Sequence, residues 1–88
     1  MNWMVYIVRC SDDSLYTGVT TDAERRVNEH NGQGGKGKGA KYTRVRRPVF
    51  LVYSEYCNDR SDACKRESAI KKMSRNQKLL LLADGGPL

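Results

Sequence analysis

The spacing of apolar residues changes along the chain, and it divides the sequence into predicted strands and helices. Residues Trp3 to Cys10 and Leu15 to Thr20 are rich in valine, tyrosine and threonine, and the Ser-Asp-Asp-Ser segment between them has turn composition. These residues predict a β-hairpin. A third strand is predicted from Pro48 to Tyr56, with its proline at the first position because proline cannot donate to a strand ladder.

A first helix is predicted after the hairpin. Thr21 and Glu24 have the spacing of a capping box, which predicts where the helix begins. The pair Asn31-Gly32 predicts its end, because both residues tolerate the left-handed backbone conformation. Residues 32–39 contain five glycines in eight positions and predict a flexible loop.

Two more helices are predicted at the C-terminal end. Residues 58–61 provide capping side chains for a helix over Asp62 to Met73. Ser74 and Gln77 form a second capping box, and the short helix that it opens ends at Asp84-Gly85-Gly86-Pro87.

The order β-β-α-β-α-α predicts an α+β fold, with a small three-stranded antiparallel sheet flanked by helices. A chain of 88 residues buries about 60 to 65% of its unfolded surface, which is enough for one core. We therefore expect a single domain over residues 1–83 and a C-terminal tail over residues 84–88.

The first predicted helix places two polar side chains on its buried stripe. Ala23, Arg26, Val27 and His30 follow helical spacing, so Arg26 and His30 share the face that Ala23 and Val27 turn toward the sheet. Two interpretations remain open at this point. The pair belongs to a functional site, or Arg26 reaches the rim and His30 is a hydrogen-bonded, half-buried histidine.

Glu67 is likewise a polar side chain on the predicted buried stripe of the next helix, which it shares with Ala63 and Ile70. The structural alternative is a rim carboxylate paired with Lys71 one turn later. An arginine, a histidine and a carboxylate that converge on one concavity suit phosphate chemistry, because they can position a phosphate, neutralise its developing charge and bind a metal ion.

The hairpin contributes two tyrosines to the same region. If the turn has five residues, Tyr6 lies opposite Gly18, and Tyr16 lies diagonal to Tyr6 on the same face. Glycine in a strand often marks the close approach of another backbone segment or of a ligand. We therefore expect both hydroxyls to face the pocket that contains Arg26, although two strand tyrosines can also be ordinary strand formers.

The charge balance indicates a polyanionic partner. Sixteen lysines and arginines against ten acidic residues give a net charge of +6, which favours nucleic acid. Residues 36–47 carry no acidic side chain, and Tyr42 among them can stack on an exposed base. The alternative is a solvated loop that contacts nothing. The predicted nucleic-acid-binding residues are Lys36, Lys38, Lys41, Tyr42, Arg44, Arg46 and Arg47.

Other classes of protein fit the sequence less well. The longest apolar run, Leu79 to Ala83, is far shorter than a membrane span, and the N-terminus lacks the features of a signal peptide, so we expect a cytoplasmic protein. A thiol-based metal or redox protein would use Cys10, Cys57 and Cys64. Their spacing suggests neither a disulfide framework nor a zinc site.

The motifs, in their order along the chain, resemble the GIY-YIG nuclease superfamily, and in particular its small stand-alone branch. The resemblance covers residues 3 to about 80. The segments that carry it are Met4-Val5-Tyr6, Tyr16-Thr17-Gly18, Arg26 to His30, Gly37 to Arg44 and Lys65-Arg66-Glu67.

The resemblance implies a role for each matching residue. Tyr6 and Tyr16 position or deprotonate the attacking water, and Arg26 stabilises charge on the phosphate. His30 matches a frequent polar partner, and Glu67 matches the single carboxylate that binds Mg²⁺ or Mn²⁺. A single carboxylate holds hydrated magnesium loosely, so substrate phosphate and water must complete its coordination.

Two positions depart from the family pattern. Met4 replaces the first glycine of the family name, which is a common variation. The late asparagine of the family has no clear match, because Asn76 lies only nine residues after Glu67.

We therefore expect a metal-dependent endonuclease that hydrolyses phosphodiester bonds in DNA, in a repair or recombination context. Without an appended recognition domain, it should read the structure of its substrate rather than sequence, or borrow a protein partner for targeting. The alternative is a nucleic-acid-binding module with a silent GIY-YIG-like site.

Overall fold

The computed structural model describes residues 2–34 and 39–85. Its strands form one antiparallel sheet in the order β2-β1-β3, which confirms the predicted α+β class. None of the helices in these residues is long and apolar enough to span a bilayer. The elements in these ranges are β1 (Met4–Arg9), β2 (Leu15–Thr20), α1 (Ala23–His30), α2 (Lys41–Arg44), β3 (Phe50–Tyr56), α3 (Arg60–Lys71) and α4 (Arg75–Gly85).

The hairpin has the predicted register. Arg9 pairs with Leu15, so the turn contains five residues, and Tyr6 pairs with Gly18. Tyr16 pairs with Val8, two positions along β1 from Tyr6, so both tyrosines lie on the same face of the sheet. The prediction from loop length is confirmed.

The predicted capping box at the start of α1 is wrong. Asp22, rather than Thr21, is the N-cap, and its Oδ1 accepts the backbone N–H of Arg25 at 3.0 Å. The hydroxyl of Thr20, the last residue of β2, accepts the N–H of Asp22 at 3.2 Å and brings the aspartate into the capping position. An ionised carboxylate at this position also interacts favourably with the helix dipole. The predicted end is confirmed, since Gly32 has φ of 100°.

The later helix boundaries follow the predictions closely. Asp59 caps α3 by accepting the N–H of Asp62 at 2.8 Å, so the helix begins two residues earlier than expected. The capping box that opens α4 is confirmed. The N–H of Gln77 donates to Ser74 Oγ at 3.2 Å, and the N–H of Ser74 donates to Gln77 Oε1 at 2.9 Å. This helix continues to Gly85, past the expected domain boundary at residue 83.

One element was missed by the sequence analysis. The four-residue helix α2 lies within the basic segment, where a single turn leaves no apolar period to detect. Strand β3 begins at Phe50, two residues later than predicted. The predicted flexible loop lies partly in residues 35–38, outside the described residues, and so do Lys36 and Lys38.

The two faces of the sheet bury different chemistry. On one side, which we call the apolar face, Val5, Ile7 and Tyr53 pack against Ala63 and Ile70 of α3. On the other side, which we call the polar face, the strands carry Tyr6 and Tyr16, and α1 covers them with Arg26, Val27 and His30.

The end of α1 is fixed to the start of β3 by one side chain. The amide of Asn31 accepts the N–H of Val49 at 2.7 Å and donates to its carbonyl at 3.0 Å. These two hydrogen bonds connect the residue that follows α1 to the residue that precedes β3.

Candidate active site

Tyr6 and His30 form the buried centre of the polar face. The Tyr6 hydroxyl lies 2.7 Å from His30 Nε2, and the two residues are 1% and 0% exposed. The tyrosine ring lies directly against Gly18. A Cβ atom at Gly18 would approach the Tyr6 hydroxyl oxygen to 2.5 Å, so glycine is needed there for the ring to take this position.

Both ring nitrogens of His30 have partners. Nδ1 lies 2.7 Å from the hydroxyl of Thr43, which is also fully buried. Burial, together with the nearby charge of Arg26, lowers the pKa of His30 to about 4. The imidazole is therefore neutral at physiological pH. Sequence analysis offered a hydrogen-bonded, half-buried histidine as the structural alternative, and the structure places the residue deeper than that.

Arg26 lies between the buried centre and solvent. Its side chain is 24% exposed, and its Nη1 donates to Glu29 Oε1 at 3.0 Å. Burial raises the pKa of Tyr6 to about 12, and the interaction of Tyr6 with the nearby Arg26 guanidinium offsets only part of this rise. Tyr6 is therefore a protonated phenol at neutral pH, and it lies within the electrostatic influence of Arg26.

Tyr16 extends the cluster toward the surface through ring contacts. Its ring meets His30 edge-on at 5.3 Å and stacks on Tyr42 at 5.8 Å with an interplanar angle of 23°. The guanidinium of Arg46 lies 4.0 Å from the centre of the Tyr42 ring, and Lys71 Nζ lies 5.9 Å from that of Tyr16. Tyr16 thus lies among aromatic and cationic groups.

Glu67 approaches the tyrosines from α3. Its side chain is 23% exposed, and Lys71 Nζ lies 3.3 Å from its Oε2, so the ion pair that we gave as the structural alternative is present. The same lysine lies near the Tyr16 ring, and the charge of Glu67 contributes, after burial, to the raised pKa of Tyr6. The carboxylate therefore lies at the rim of the cluster.

The residues around Glu67 determine what kind of metal site they can form. Within the described ranges, no three histidine, cysteine or acidic side chains come together as a metal cage. A single hard carboxylate at a rim suits a magnesium ion that keeps several waters and takes further oxygens from a phosphate. Glu67 fits that type of site.

The basic segment divides into two groups. Lys41 and Arg44 of α2 are exposed. Arg46 instead donates to Asp12 Oδ2 at 3.0 Å and to the carbonyl of Tyr42 at 2.8 Å. Arg47 donates to the carbonyl of His30 at 2.5 Å. Part of the charge that the sequence assigned to nucleic acid therefore also holds the fold together.

Sequence analysis missed two residues of this cluster. Glu29 orients Arg26 from one turn along α1, and its spacing at i+3 was a visible signal. Thr43 contacts His30 from α2, thirteen residues later in the chain, and no pattern in the sequence predicted that contact.

Comparison of the sequence with known proteins identifies its family. Residues 2–79 match the model of the GIY-YIG catalytic domain. A UPF0213 protein of Desulfotalea psychrophila is 58% identical over 80 residues, which cover 91% of this chain and 70% of the relative. A UPF0213 protein of Staphylococcus saprophyticus is 52% identical over 81 residues, which cover 92% of this chain and 94% of the relative.

Two solution NMR structures share the fold. The UPF0213 protein of Bacillus halodurans is 44% identical, with a TM-score of 0.60 over 99% of this chain and 89% of that one. A protein of E. faecalis is 42% identical, with a TM-score of 0.61 over 94% of this chain and 84% of that one. The family model covers most of the sequence, and the relatives are small single-domain proteins. The chain therefore belongs to the GIY-YIG family of nucleases.

Proposed function

We propose that this protein is a metal-dependent endonuclease that hydrolyses phosphodiester bonds in DNA and selects its substrates by structure rather than by sequence. One observation carries the proposal. The Tyr6 hydroxyl lies 2.7 Å from His30 Nε2 and also interacts with the charge of Arg26, whose side chain lies between the buried centre of the polar face and solvent. A phosphate placed against Arg26 therefore lies next to a hydroxyl that can order a water molecule.

Arg26 acts on the charge of the phosphate. Glu29 holds its guanidinium by an ion pair of 3.0 Å, so little reorganisation is needed when charge develops in the transition state. Its planar donors suit phosphate oxygens. This arrangement supports a transition-state role more than general attraction of DNA.

Tyr6 acts on the attacking water through its oxygen. With a pKa of about 12 in the protein without substrate, it is not a phenolate at neutral pH, so it first orients water by accepting a hydrogen bond. His30 is neutral and lies at the other side of the same hydroxyl, where it can accept the hydroxyl proton. Tyr16, nearer the surface, lines the path by which substrate enters.

Glu67 would hold the divalent metal ion, on which nucleases of this family generally depend. Such an ion supplies positive charge at the reacting phosphate. In the protein alone, Lys71 pairs with Glu67. Lys71 would therefore have to move for Glu67 to hold a metal ion.

The exposed cations support selection by structure. Lys41 and Arg44 lie on a single helical turn, which offers contacts to phosphates but no long helix for the major groove. Tyr42 beside them is 39% exposed, and its ring is in contact with Tyr16 and Arg46, so an unpaired base that stacks on it must replace one of these contacts. Flapped, branched and single-stranded DNA are the substrates that such a surface suits.

A silent binding module is the second candidate function. The observation that favours it is the burial of Tyr6, which is 1% exposed and bonded to His30, so that access of water to its oxygen depends on the position of Arg26.

Cleavage assays on labelled linear, flapped, branched and single-stranded DNA, with RNA counterparts and with Mg²⁺ or Mn²⁺, test the proposal. We expect cleavage of branched or unpaired DNA by the natural protein and its loss in Arg26→Ala. Arg25→Ala is the matched control, because Arg25 is the neighbouring cation on α1 and its side chain is 55% exposed. Binding without cleavage of any substrate would support the silent module instead.

A further inference from the structure

Thr43 is a buried polar residue of the polar face to which neither the motifs nor the proposed mechanism assigns a role. It lies in α2, it is fully buried, and its hydroxyl oxygen is 2.7 Å from His30 Nδ1. The same hydroxyl is 3.0 Å from the carbonyl oxygen of Ala40. A buried threonine held between a backbone carbonyl and an imidazole controls which ring nitrogen carries a hydrogen.

The two neutral forms of His30 differ in how well they satisfy this chain of contacts. Suppose that the hydrogen is on Nδ1. Then His30 donates to Thr43, Thr43 donates to the Ala40 carbonyl, and the Tyr6 hydroxyl donates to Nε2. Every hydrogen then has an acceptor, and the Tyr6 oxygen keeps its lone pairs for other donors.

The opposite form disturbs the hydrogen bonds at both ring nitrogens. With the hydrogen on Nε2, His30 would donate to the Tyr6 oxygen, and the Tyr6 hydroxyl hydrogen would lose Nε2 as its acceptor. At the other nitrogen, the Thr43 hydroxyl would have to leave the Ala40 carbonyl in order to donate to Nδ1. Each change leaves a buried polar group without its partner, which favours the first form.

We infer that Thr43 is a positioning residue, which holds His30 with its hydrogen on Nδ1 and thereby directs the hydroxyl hydrogen of Tyr6 into the protein. The inference deepens the proposed function and rests on it for its catalytic meaning. The Tyr6 oxygen then presents lone pairs to Arg26 and to the attacking water, rather than a hydrogen.

The sequence offers a direct test, because His30 is the single histidine in the chain. A long-range ¹H–¹⁵N correlation spectrum of the uniformly labelled protein at pH 7, without nucleic acid, reports one imidazole. We expect Nδ1 in the range of a protonated nitrogen and Nε2 in the range of an unprotonated one. A hydrogen on Nε2 in the natural protein would overturn the inference.

Substitutions at Thr43 test the cause. Thr43→Val keeps the shape and removes the hydroxyl, so a hydrogen on Nδ1 loses its acceptor and the form with the hydrogen on Nε2 should become populated. Thr43→Ser should keep the natural spectrum. Thr17→Val is the matched control, since Thr17 is a buried threonine on the apolar face. An unchanged imidazole spectrum in a folded Thr43→Val would contradict the inference, and a changed spectrum in Thr43→Ser would do so even if the valine variant failed to fold.

Cleavage kinetics of the Thr43 variants test whether the tautomer of His30 matters for catalysis. On a substrate that the natural protein cuts, Thr43→Val should lower kcat about tenfold or more with little change in KM, and Thr43→Ser should restore kcat. A normal kcat in Thr43→Val with a changed tautomer would overturn the positioning role. The spectra need no substrate. A protein that cuts nothing would therefore refute the proposed function while the effect of Thr43 on His30 was still measured.

Discussion

The two faces of the sheet bury residues of similar size but rely on different forces. On the apolar face, Ile7 and Ile70 are fully buried and contribute through packing. On the polar face, Tyr6, His30 and Thr43 are buried to the same degree but are joined by hydrogen bonds of 2.7 Å. Loss of side-chain volume should therefore lower stability most on the apolar face. Loss of a hydrogen-bonding group should lower it most on the polar face.

Two threonines show the difference most clearly. Thr17 pairs with Ile7 on the apolar face, and within the described part of the chain its buried hydroxyl oxygen has no hydrogen-bond partner. Thr43 has two partners. Thr17 therefore contributes mainly by packing, as a valine would, whereas the hydroxyl of Thr43 takes part in hydrogen bonds. This difference indicates that hydrogen bonding is concentrated on the face where the chemistry is proposed.

The largest effect expected from a single substitution is on cleavage. Glu67→Ala should reduce the rate about 1,000-fold, equivalent to about 4 kcal/mol of transition-state stabilisation, because it removes the proposed metal ligand. Affinity for DNA should be retained or slightly raised, since a negative charge facing the phosphates is lost. Single-turnover cleavage and binding titrations measure the two quantities separately.

Glu24→Ala is the control for that experiment, because Glu24 is an exposed carboxylate on α1. It should cleave at the natural rate. Cleavage that persisted in Glu67→Ala would show that the metal site is elsewhere, and it would separate α3 from the chemistry of the polar face.

A substitution on the apolar face should affect stability alone. Ile70→Ala removes packed volume from a fully buried position and should lower the free energy of unfolding by about 2 to 5 kcal/mol. Chemical denaturation measures this loss, and the His30 spectrum of the folded variant should be unchanged. A shifted imidazole spectrum would show that the two faces are coupled through the sheet.

The polar face was predictable from the sequence only in part. The orientation of Tyr6 and Tyr16 toward one face, and the pairing of Tyr6 with Gly18, followed from a five-residue turn because strand parity is a local rule. That the group close to Gly18 is the Tyr6 ring itself was not predicted. The inward positions of Arg26 and His30 followed from helical spacing on α1. Local geometry was sufficient for these residues.

The remaining contacts depend on distant parts of the chain. Arg46 reaches Asp12 across 34 positions, and a single turn of helix buries Thr43 against His30. Neither contact follows from the helical or strand periodicity of the sequence. The sequence therefore did not indicate that Arg46 is bound within the fold, and it did not indicate the contact between Thr43 and His30.

The exposed cations allow a test of where DNA binds. Neutralising Lys41 and Arg44 together by glutamine should weaken binding about tenfold at moderate salt, and the slope of log affinity against log salt should become shallower by about 1 to 2. Lys65 and Lys72 are exposed and, neutralised together, provide a control with the same change in net charge. Equal effects of the two pairs would show that binding follows total charge rather than the surface beside the polar face.

Acidification should lower the free energy of unfolding of the protein, because the polar face buries His30 in its neutral form. The pKa of His30 is about 4 in the folded protein and near 6.5 when unfolded, so the unfolded state binds more protons below pH 6.5. Stability is therefore present above that pH and is lost as the pH falls toward 4. Between pH 7 and pH 5.5, where most carboxylates stay ionised, the loss should be about 1 kcal/mol. Urea denaturation at both pH values measures it, and an NMR titration midpoint of the single imidazole near 6.5 would contradict the prediction.

The smallest effect expected is at Thr17, and it tests the comparison of the two faces most directly. Thr17→Val replaces a buried hydroxyl that has no partner among the described residues with a methyl group of nearly the same size. The free energy of unfolding should stay the same or rise by up to about 1 kcal/mol. Thr43→Val makes the same chemical change on the polar face, where the lost hydroxyl leaves His30 Nδ1 without its partner, and should lower stability by about 1 to 3 kcal/mol. Denaturation of both variants under the same conditions gives the difference, and equal losses would show that the two faces do not rely on different forces.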